Sequence, residues 1–255
     1  MNFFGPASAA ERYAKGRPFF HPLVVGRAKE VFGLKEPLAH ALDVGCGTGL
    51  STAALRELAA EVVGVDASAA MVAHAPRRAG VAYVVAEAER LPFGEGVFDL
   101  MTVSQVLHWL DRARFFAEAR RVLRADGKLV VYDNYFAGAP EGDEAFTRWH
   151  RESYLERYPS PLRVWTQLSD EDATREGFRL LAHELLPHEI SFSVEGLADY
   201  LLSQSNVIAV VEGGGREEAS EARRWIVETT RPLFGGDGER RFLFHAPVWY
   251  LRRVA

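Results

Sequence analysis

Three glycines alternate with other residues in the segment Gly45-Cys46-Gly47-Thr48-Gly49, which directly follows a short apolar run. Glycines at such a turn allow positive φ values and let the backbone approach a ligand closely. The dinucleotide fingerprint has the spacing G-x-G-x-x-G, but here Leu50 stands where the third glycine would be. The spacing therefore counts against a nicotinamide dinucleotide and leaves another adenosyl ligand, or a tight turn without a ligand, as alternatives.

Two carboxylates follow the glycine segment at regular distances. Asp66 comes 21 residues after Gly45, at the end of a second apolar run, where an acidic side chain can accept both hydroxyls of a ribose. Glu87 comes 21 residues later and Glu89 follows it, and a carboxylate there can accept a hydrogen bond from an adenine amino group. Carboxylates at these positions also suit a cationic ligand. The pattern predicts an adenosine site.

His108 is the best candidate for a general base, because it follows the fourth apolar run. A hydrogen-bonded histidine that only supports the pocket is the alternative. His21, in the N-terminal segment, is either a second group at the same site or a loop residue. Cys46 has no His or acid placed to activate it as a nucleophile. The histidines show no spacing typical of metal ligands, so no metal site is predicted.

The elements that must position these side chains alternate between strands and helices. The short apolar runs are continuous, which is typical of parallel strands covered on both faces, and ligands bind at the carboxyl ends of such strands. The predicted strands are 40–45, 61–67, 81–88, 97–106 and 127–136, and the predicted helices are 50–60, 68–76 and 111–124.

The rhythm ends after Phe136. The sequence predicts a loop over 137–146, polar helical segments over 145–186, a strand and a helix over 188–205, an amphipathic helix over 216–234 and a closing strand over 240–254.

Composition limits the partners and the location. The formal charge is −5 and there is no run of Lys and Arg, which argues against nucleic acid as the main partner. No run of about 18 apolar residues occurs, so no membrane span is predicted. The opening lacks the pattern of a signal peptide, and the single cysteine excludes an intrachain disulfide. We expect a cytoplasmic protein, and a monomer and a homodimer both remain open.

Five blocks of sequence, in this order and spacing, closely resemble the class I S-adenosylmethionine-dependent methyltransferases, and in particular the small-molecule type 11 group. They are "LDVGCGTG", "VVGVDAS", "VVAEAERLPF", "VFDLMTVSQVLHWL" and "EARRVLRADGKLVV", within residues 39–133. The resemblance implies an α/β, Rossmann-like fold with a mostly parallel seven-stranded sheet, helices on both faces and a helical cap insertion. It implies one domain, 1–255: an N-terminal cap segment (1–37), a cofactor-binding core (38–137), a cap insertion (138–190) and the completion of the sheet (191–255).

The resemblance also implies roles for individual residues. The glycine loop lets the backbone approach the methionine portion of the cofactor, Asp66 binds the ribose, and the end of the fourth strand lies near the methyl donor. Glu87 stands where the family usually has Asp. The implied cofactor contacts are Asp43, Gly45, Cys46, Gly47 and Gly49 in the loop, Asp66, Ala67 and Met71 around the ribose, Glu87 and Ala88 at the adenine, and Ser104 and Gln105.

The N-terminal segment "ERYAKGRPFFHP" and the run from Gln105 to Trp109 resemble methyltransferases similar to trans-aconitate methyltransferase. In that reading Tyr13 and Arg17 cover the cofactor, and Arg17 pairs with its carboxylate. Both residues are otherwise members of a surface helix. The acceptor pocket is expected from the N-terminal segment and 137–190, where the candidate lining residues are Tyr135, Trp149, Arg151, Tyr154, Arg163 and Trp165.

The implied function is transfer of a methyl group from S-adenosylmethionine to a small molecule by in-line displacement. A carboxylate acceptor needs no base, whereas a hydroxyl acceptor benefits from one. Two alternatives remain: an NAD-dependent oxidoreductase, and a non-catalytic protein of the same fold that binds an adenosyl metabolite. An RNA or protein methyltransferase is a third possibility, disfavoured by the acidic balance and by Ser-Gln-Val-Leu at 104–107 in place of an N/D-P-P-Y/F motif.

Overall fold

The computed structural model describes residues 5–160, 167–212, 216–236 and 238–254. The strands are β1 (Leu38–Val44), β2 (Ala59–Asp66), β3 (Val81–Val85), β4 (Phe98–Ser104), β5 (Leu123–Tyr132), β6 (Tyr135–Phe136), β7 (Phe178–Phe192) and β8 (Arg240–Arg253). The α-helices are α1 (Ala7–Gly16), α2 (His21–Val31), α3 (Leu50–Leu55), α4 (Ala69–Ala73), α5 (Arg112–Val122), α6 (Glu144–Trp149), α7 (Leu155–Arg157), α8 (Asp170–Arg175), α9 (Val194–Leu202), α10 (Ser205–Val211) and α11 (Arg216–Phe234).

The chain divides into two compact units. The core unit comprises Phe19–Asn134, Val164–Leu186 and Ala246–Ala255, and the second unit comprises Met1–Pro18, Tyr135–Arg163 and Pro187–His245. Residues 19–37, expected in an N-terminal cap, thus lie in the core unit, where Val24 and Ala28 of α2 join a buried cluster with Leu55. The assignment of the whole chain to one domain stays a prediction.

The core sheet has the strand order β3-β2-β1-β4-β5-β8, and the first five strands are mutually parallel. Strand β8 runs antiparallel to β5, with Tyr132 opposite Val248, and it also pairs with β7. The mostly parallel sheet is confirmed, with eight strands in the described residues where seven were expected.

Consecutive residues of the core strands pack into different hydrophobic clusters. Leu42 and Met101 join Phe116 of α5 in one cluster, whereas Ala41 and Leu100 join the second cluster, which contains residues of α2 and α3. Side chains alternate between the faces of a strand, so these clusters lie on opposite faces of the sheet. The expectation of helices on both faces is confirmed.

Local signals explain where several helices begin. The side chain of Ser68 accepts a hydrogen bond from the Met71 amide at the start of α4, and Asp111 does the same for Arg114 at the start of α5. Helix α3 ends at Leu55 rather than at residue 60, because Ala59 already pairs with Leu38 in the sheet.

The helical prediction for residues 178–186 was wrong, since the whole segment Phe178–Phe192 is strand β7. Half-buried and exposed positions alternate from 182 to 191, which is the period of a strand. Pro187 lies within β7, and proline is tolerated in a strand at the edge of a sheet. The amphipathic helix and the closing strand are confirmed as α11 and β8.

Close packing and an aromatic cluster characterise the second unit. A Cβ added at Gly16 of α1 would lie 2.1 Å from the carbonyl oxygen of Asp199 in α9, so only glycine permits this approach. The cluster includes Phe146, Trp149 and Tyr154. None of the described helices is both long enough and apolar enough to cross a membrane.

Candidate functional site

The glycine loop joins β1 to α3 and has positive φ at Gly45 (70°), Gly47 (53°) and Gly49 (81°). A Cβ at Gly45 would lie 2.6 Å from the side chain of Val106, and one at Gly49 would lie 2.4 Å from the Oη atom of Tyr83. The loop therefore requires glycine for both its backbone angles and its packing.

Asp43 holds the base of this loop rather than facing a ligand. Its carboxylate is fully buried and accepts hydrogen bonds from Ser51 Oγ (2.6 Å), Thr52 Oγ1 (2.7 Å) and Thr102 Oγ1 (2.7 Å). Burial raises the pKa of Asp43, and the three hydroxyl donors oppose that shift. The side chain thus links β1, α3 and β4, and any contribution of Asp43 to a ligand comes from the backbone that it fixes.

Asp66 ends β2 and is tied to the loop. Its Oδ2 atom accepts from the Gly47 amide at 2.9 Å, and its Oδ1 atom accepts from the Ser68 amide at 2.8 Å. Burial raises the pKa of Asp66, while the two amides lower it. A carboxylate has about four acceptor positions, so Asp66 keeps capacity for two further donors such as the hydroxyls of a ribose.

The other residues implied around the adenosine differ in exposure. Ala67 is exposed and Met71 is buried. At the end of β3, Glu87 is exposed and Ala88 is buried. The Oε1 atom of Glu89 accepts from the Asp111 amide at 2.9 Å, so Glu89 already has a partner in the protein.

The end of β4 combines an unpartnered hydroxyl with an unusual backbone angle. Ser104 is buried, and its Oγ atom has no hydrogen-bond partner. Gln105 has a φ of 57°, and its amide donates to the Tyr132 carbonyl at 2.9 Å. Such an angle costs about 1–3 kcal/mol in a residue other than glycine and is found most often at functional sites.

His108 lies in a 3₁₀ turn after β4, beside the carboxylate of Asp133, the first residue after β5. Its Nδ1 atom is 3.6 Å from Asp133 Oδ2, and the two side chains are only 8% and 14% exposed. Tyr132, which precedes Asp133, forms a hydrogen bond of 2.9 Å between its Oη atom and Nδ1 of His21. The structure therefore places both histidines singled out from the sequence at the carboxyl ends of β4 and β5.

Tyr132, Asp133 and Asn134 were missed by the sequence analysis. Asn134 is buried, and its Oδ1 atom has no hydrogen-bond partner. The sequence predicted a strand through residue 136, whereas β5 ends at Tyr132. The polar pair directly after the strand was the signal that could have located its end and the site.

Cys46 has no features of a nucleophile. The thiol is buried, burial raises its pKa, and its Sγ atom contacts the Gly47 carbonyl at 3.8 Å. In the described part of the chain, no three side chains of His, Cys, Asp or Glu converge on a point where a metal could bind.

The remaining implied contacts lie in the second unit. The Arg17 guanidinium stacks over Tyr13, 4.5 Å from the ring centre, and donates to the Ser203 carbonyl at 3.1 Å. Trp149 and Tyr154 are buried in the aromatic cluster, Tyr135 is half-buried and Arg151 is exposed. Arg163 and Trp165 lie outside the described residues. The roles of this group toward a cofactor or an acceptor stay predictions.

Comparison with known proteins finds a family model that matches part of the core unit. Residues 42–131 match the family model described as a methyltransferase domain. A Dictyostelium discoideum protein named as a methyltransferase is 24% identical, with 83% of this chain and 80% of the relative covered. Over 130 residues, which are 50% of this chain, it is 35% identical to three mycobacterial methyltransferases that are not functionally characterised, and it spans about half of their length.

Solved structures agree in fold. A protein from Anaeromyxobacter dehalogenans, proposed to be a type II methyltransferase, has a TM-score of 0.69 and 27% identity, covering 93% of this chain and 97% of that one. A phosphoethanolamine N-methyltransferase of Haemonchus contortus, solved with S-adenosyl-L-methionine, has a TM-score of 0.55 and 19% identity, covering 98% and 58%.

The residues at the carboxyl edge fit such a cofactor. The three glycines leave the loop backbone without side chains above it, and Asp66 retains acceptor positions for a ribose. Ser104 supplies a buried hydroxyl without a partner in the protein.

Proposed function

We propose that this chain, a class I S-adenosylmethionine-dependent methyltransferase, methylates a small molecule on a carboxylate or hydroxyl group by in-line transfer. The observation that carries the proposal is the convergence, within the core unit alone, of the glycine loop, Asp66, Ser104 and His108 at the carboxyl ends of β1, β2 and β4. In open α/β sheets this edge is where ligands bind.

The residues of the chain mainly align the reactants. The cofactor supplies a methyl group on a sulfonium centre, and its displacement requires geometry more than acid–base chemistry. The glycine loop would let its backbone approach the methionine portion, Asp66 would accept from the ribose hydroxyls, and Glu87 with Ala88 would border the adenine. Ser104 and Gln105, at the end of β4, would border the methyl group that is transferred. Tyr13 and Arg17 are further proposed contacts that rest on the sequence resemblance.

His108 has a role only for some acceptors. A carboxylate acceptor is ionised at neutral pH and attacks without help, whereas a hydroxyl must lose its proton during the reaction. His108 is the proposed proton acceptor in the second case. It is surrounded by little solvent, which favours proton transfer within the site.

Isothermal titration tests the cofactor assignment. S-adenosylmethionine, S-adenosylhomocysteine and NADH are titrated into the wild type, Asp66→Asn and the control Glu61→Gln, which removes one charge from the exposed beginning of β2. The first two ligands should bind to the wild type, while NADH should not. Asp66→Asn should weaken binding about 10–100-fold, the loss of one or two charge-assisted hydrogen bonds.

Three outcomes would contradict the proposal. Binding of NADH alone would favour an oxidoreductase. Equal binding to Asp66→Asn and Glu61→Gln would remove Asp66 from the site. Cofactor binding without release of S-adenosylhomocysteine in a screen of small carboxylic acids and alcohols would favour a non-catalytic binding protein.

A further inference from the structure

The carboxylate of Asp133 is oriented by the backbone on one side and faces His108 on the other. Its Oδ1 atom accepts a hydrogen bond from the Asn134 amide at 3.2 Å, and its Oδ2 atom lies 3.6 Å from Nδ1 of His108. The amide of the next residue therefore orients the carboxylate through one oxygen, and the other oxygen faces the imidazole.

Strand pairing and ring packing hold both partners in place. The Asp133 amide donates to the Pro247 carbonyl at 3.1 Å, which attaches the residue to β8. The imidazole of His108 packs against the indole of Trp109, with ring centres 4.7 Å apart. Because both side chains are largely shielded from solvent, salt and water screen their interaction only weakly.

We propose that Asp133 is a positioning residue, which keeps the Nδ1 atom of His108 protonated and leaves Nε2 to accept a proton from the methyl acceptor. The distance of 3.6 Å is longer than a hydrogen bond, and catalytic contacts often shorten only when ligands are bound. The inference deepens the proposed function and rests on it.

The proposal selects one of the two acceptor classes. An imidazole prepared to take a proton serves a hydroxyl, and it serves no purpose for a carboxylate. In the step, the acceptor O–H bond breaks and its proton passes to Nε2 of His108. The oxygen electron pair forms the new bond to the methyl carbon, and the carbon–sulfur bond breaks with its electron pair remaining on sulfur.

The experiment must distinguish His108 from the other titratable groups on this edge. Asp133 faces His108 from the end of β5, and the neighbouring Tyr132 is bonded to His21 at the start of α2. A test of His108 therefore needs a signal from that imidazole alone, and a change at His21 must be visible as a separate signal.

Nitrogen NMR of the full chain labelled at histidine provides that signal. The resonances of His108 and His21 are assigned with His108→Gln and His21→Gln, and the chemical shifts of each ring report which of its nitrogens carries the proton. In the wild type the neutral ring of His108 should carry its proton on Nδ1. Asp133→Asn should populate the other tautomer, because the carboxylate that faces Nδ1 is removed.

Asp126→Asn is the matched control. Asp126 is exposed near the beginning of the same strand, and asparagine tolerates its φ of 61°. This variant should leave the tautomer populations of His108 unchanged. Unchanged tautomer populations of His108 in Asp133→Asn would overturn the proposal whatever the activity of the enzyme.

Turnover tests the acceptor class independently. Release of S-adenosylhomocysteine is measured with phenols and aliphatic alcohols beside benzoate and other simple carboxylates. With a hydroxyl acceptor, Asp133→Asn should lower kcat about 10–100-fold with little change in KM, because an imidazole that is not positioned accepts the proton less effectively. Methylation of a carboxylate at wild-type rate in Asp133→Asn would refute the inference but leave the methyltransferase function intact. Failure of the wild type to bind S-adenosylhomocysteine would refute the proposed function itself.

Discussion

The carboxyl edge of the core sheet and the aromatic cluster of the second unit both contain buried polar side chains. They differ in whether those side chains have hydrogen-bond partners. At the edge, Ser104 Oγ and Asn134 Oδ1 are buried without hydrogen-bond partners. In the cluster, the Asn206 amide donates to the Tyr158 carbonyl at 2.9 Å and to Tyr154 Oη at 3.2 Å.

Whether buried polar atoms have hydrogen-bond partners distinguishes a binding site from a region that only stabilises the fold. A buried polar atom without a partner costs about 1–3 kcal/mol, so natural proteins retain such atoms mainly where a ligand or water completes them. An amide that has hydrogen-bond partners among aromatic side chains instead stabilises one arrangement of the rings. The edge of the core sheet is thus suited to binding, and the cluster is suited to holding the second unit together.

The largest expected effect breaks the packing of the second unit. Gly16→Ala places a Cβ against the backbone carbonyl of Asp199, which cannot move without shifting α9, so the free energy of unfolding should fall by about 3 kcal/mol. Gly26→Ala is the control within α2, where a Cβ meets no atom within 4 Å. It should raise stability by about 0.5–1 kcal/mol in denaturant titration, because alanine favours a helix. Equal effects would disprove the close contact.

An intermediate effect compares the two asparagines directly. Asn206→Ala leaves the Tyr158 carbonyl and the Tyr154 hydroxyl without this partner, so unfolding should become easier by about 2 kcal/mol. Asn134→Ala removes no side-chain hydrogen bond of Oδ1 and should change stability by less than about 1 kcal/mol, while methyl transfer slows. Urea titration and turnover of both variants check this. If Asn134→Ala destabilised the protein more than Asn206→Ala, the proposed difference between the edge and the cluster would be wrong.

The smallest expected effect is a pH dependence of the second unit. Burial lowers the pKa of His150 below its ordinary value of 6.5, and the ring stacks on Tyr154 at 5.4 Å. Since the folded-state pKa is lower, the unfolded chain binds the proton first, and stability falls as the pH drops below about 6.5. The contribution is less than about 1.4 kcal/mol per pH unit.

Unfolding of His150→Gln over this pH range should therefore show a weaker loss of stability toward acid than the wild type. His74→Gln, which changes an exposed histidine, should keep the wild-type slope. Parallel slopes for the wild type and His150→Gln would remove His150 as the cause.

The sequence alone determined much of the core unit. Continuous apolar runs placed β1 to β5 within a few residues, and the caps at Ser68 and Asp111 began the following helices. Local signals suffice there because parallel strands are buried on both faces and their helices start at side chains that bond the backbone. The glycine spacing and Asp66 were predicted for the same reason: φ angles and strand ends are local properties.

Only the tertiary structure decided which side chains are available for chemistry. Asp43 and Asp66 both lie at the carboxyl ends of parallel strands. Three hydroxyls from two other elements donate to the first, whereas two backbone amides donate to the second. The pairing of Asp133 with His108 and the extension of β7 through residues 178–186 likewise depend on contacts between distant segments. Hydrogen-bond partners and strand pairing are set by the folded neighbours, and the local order of residues does not encode them.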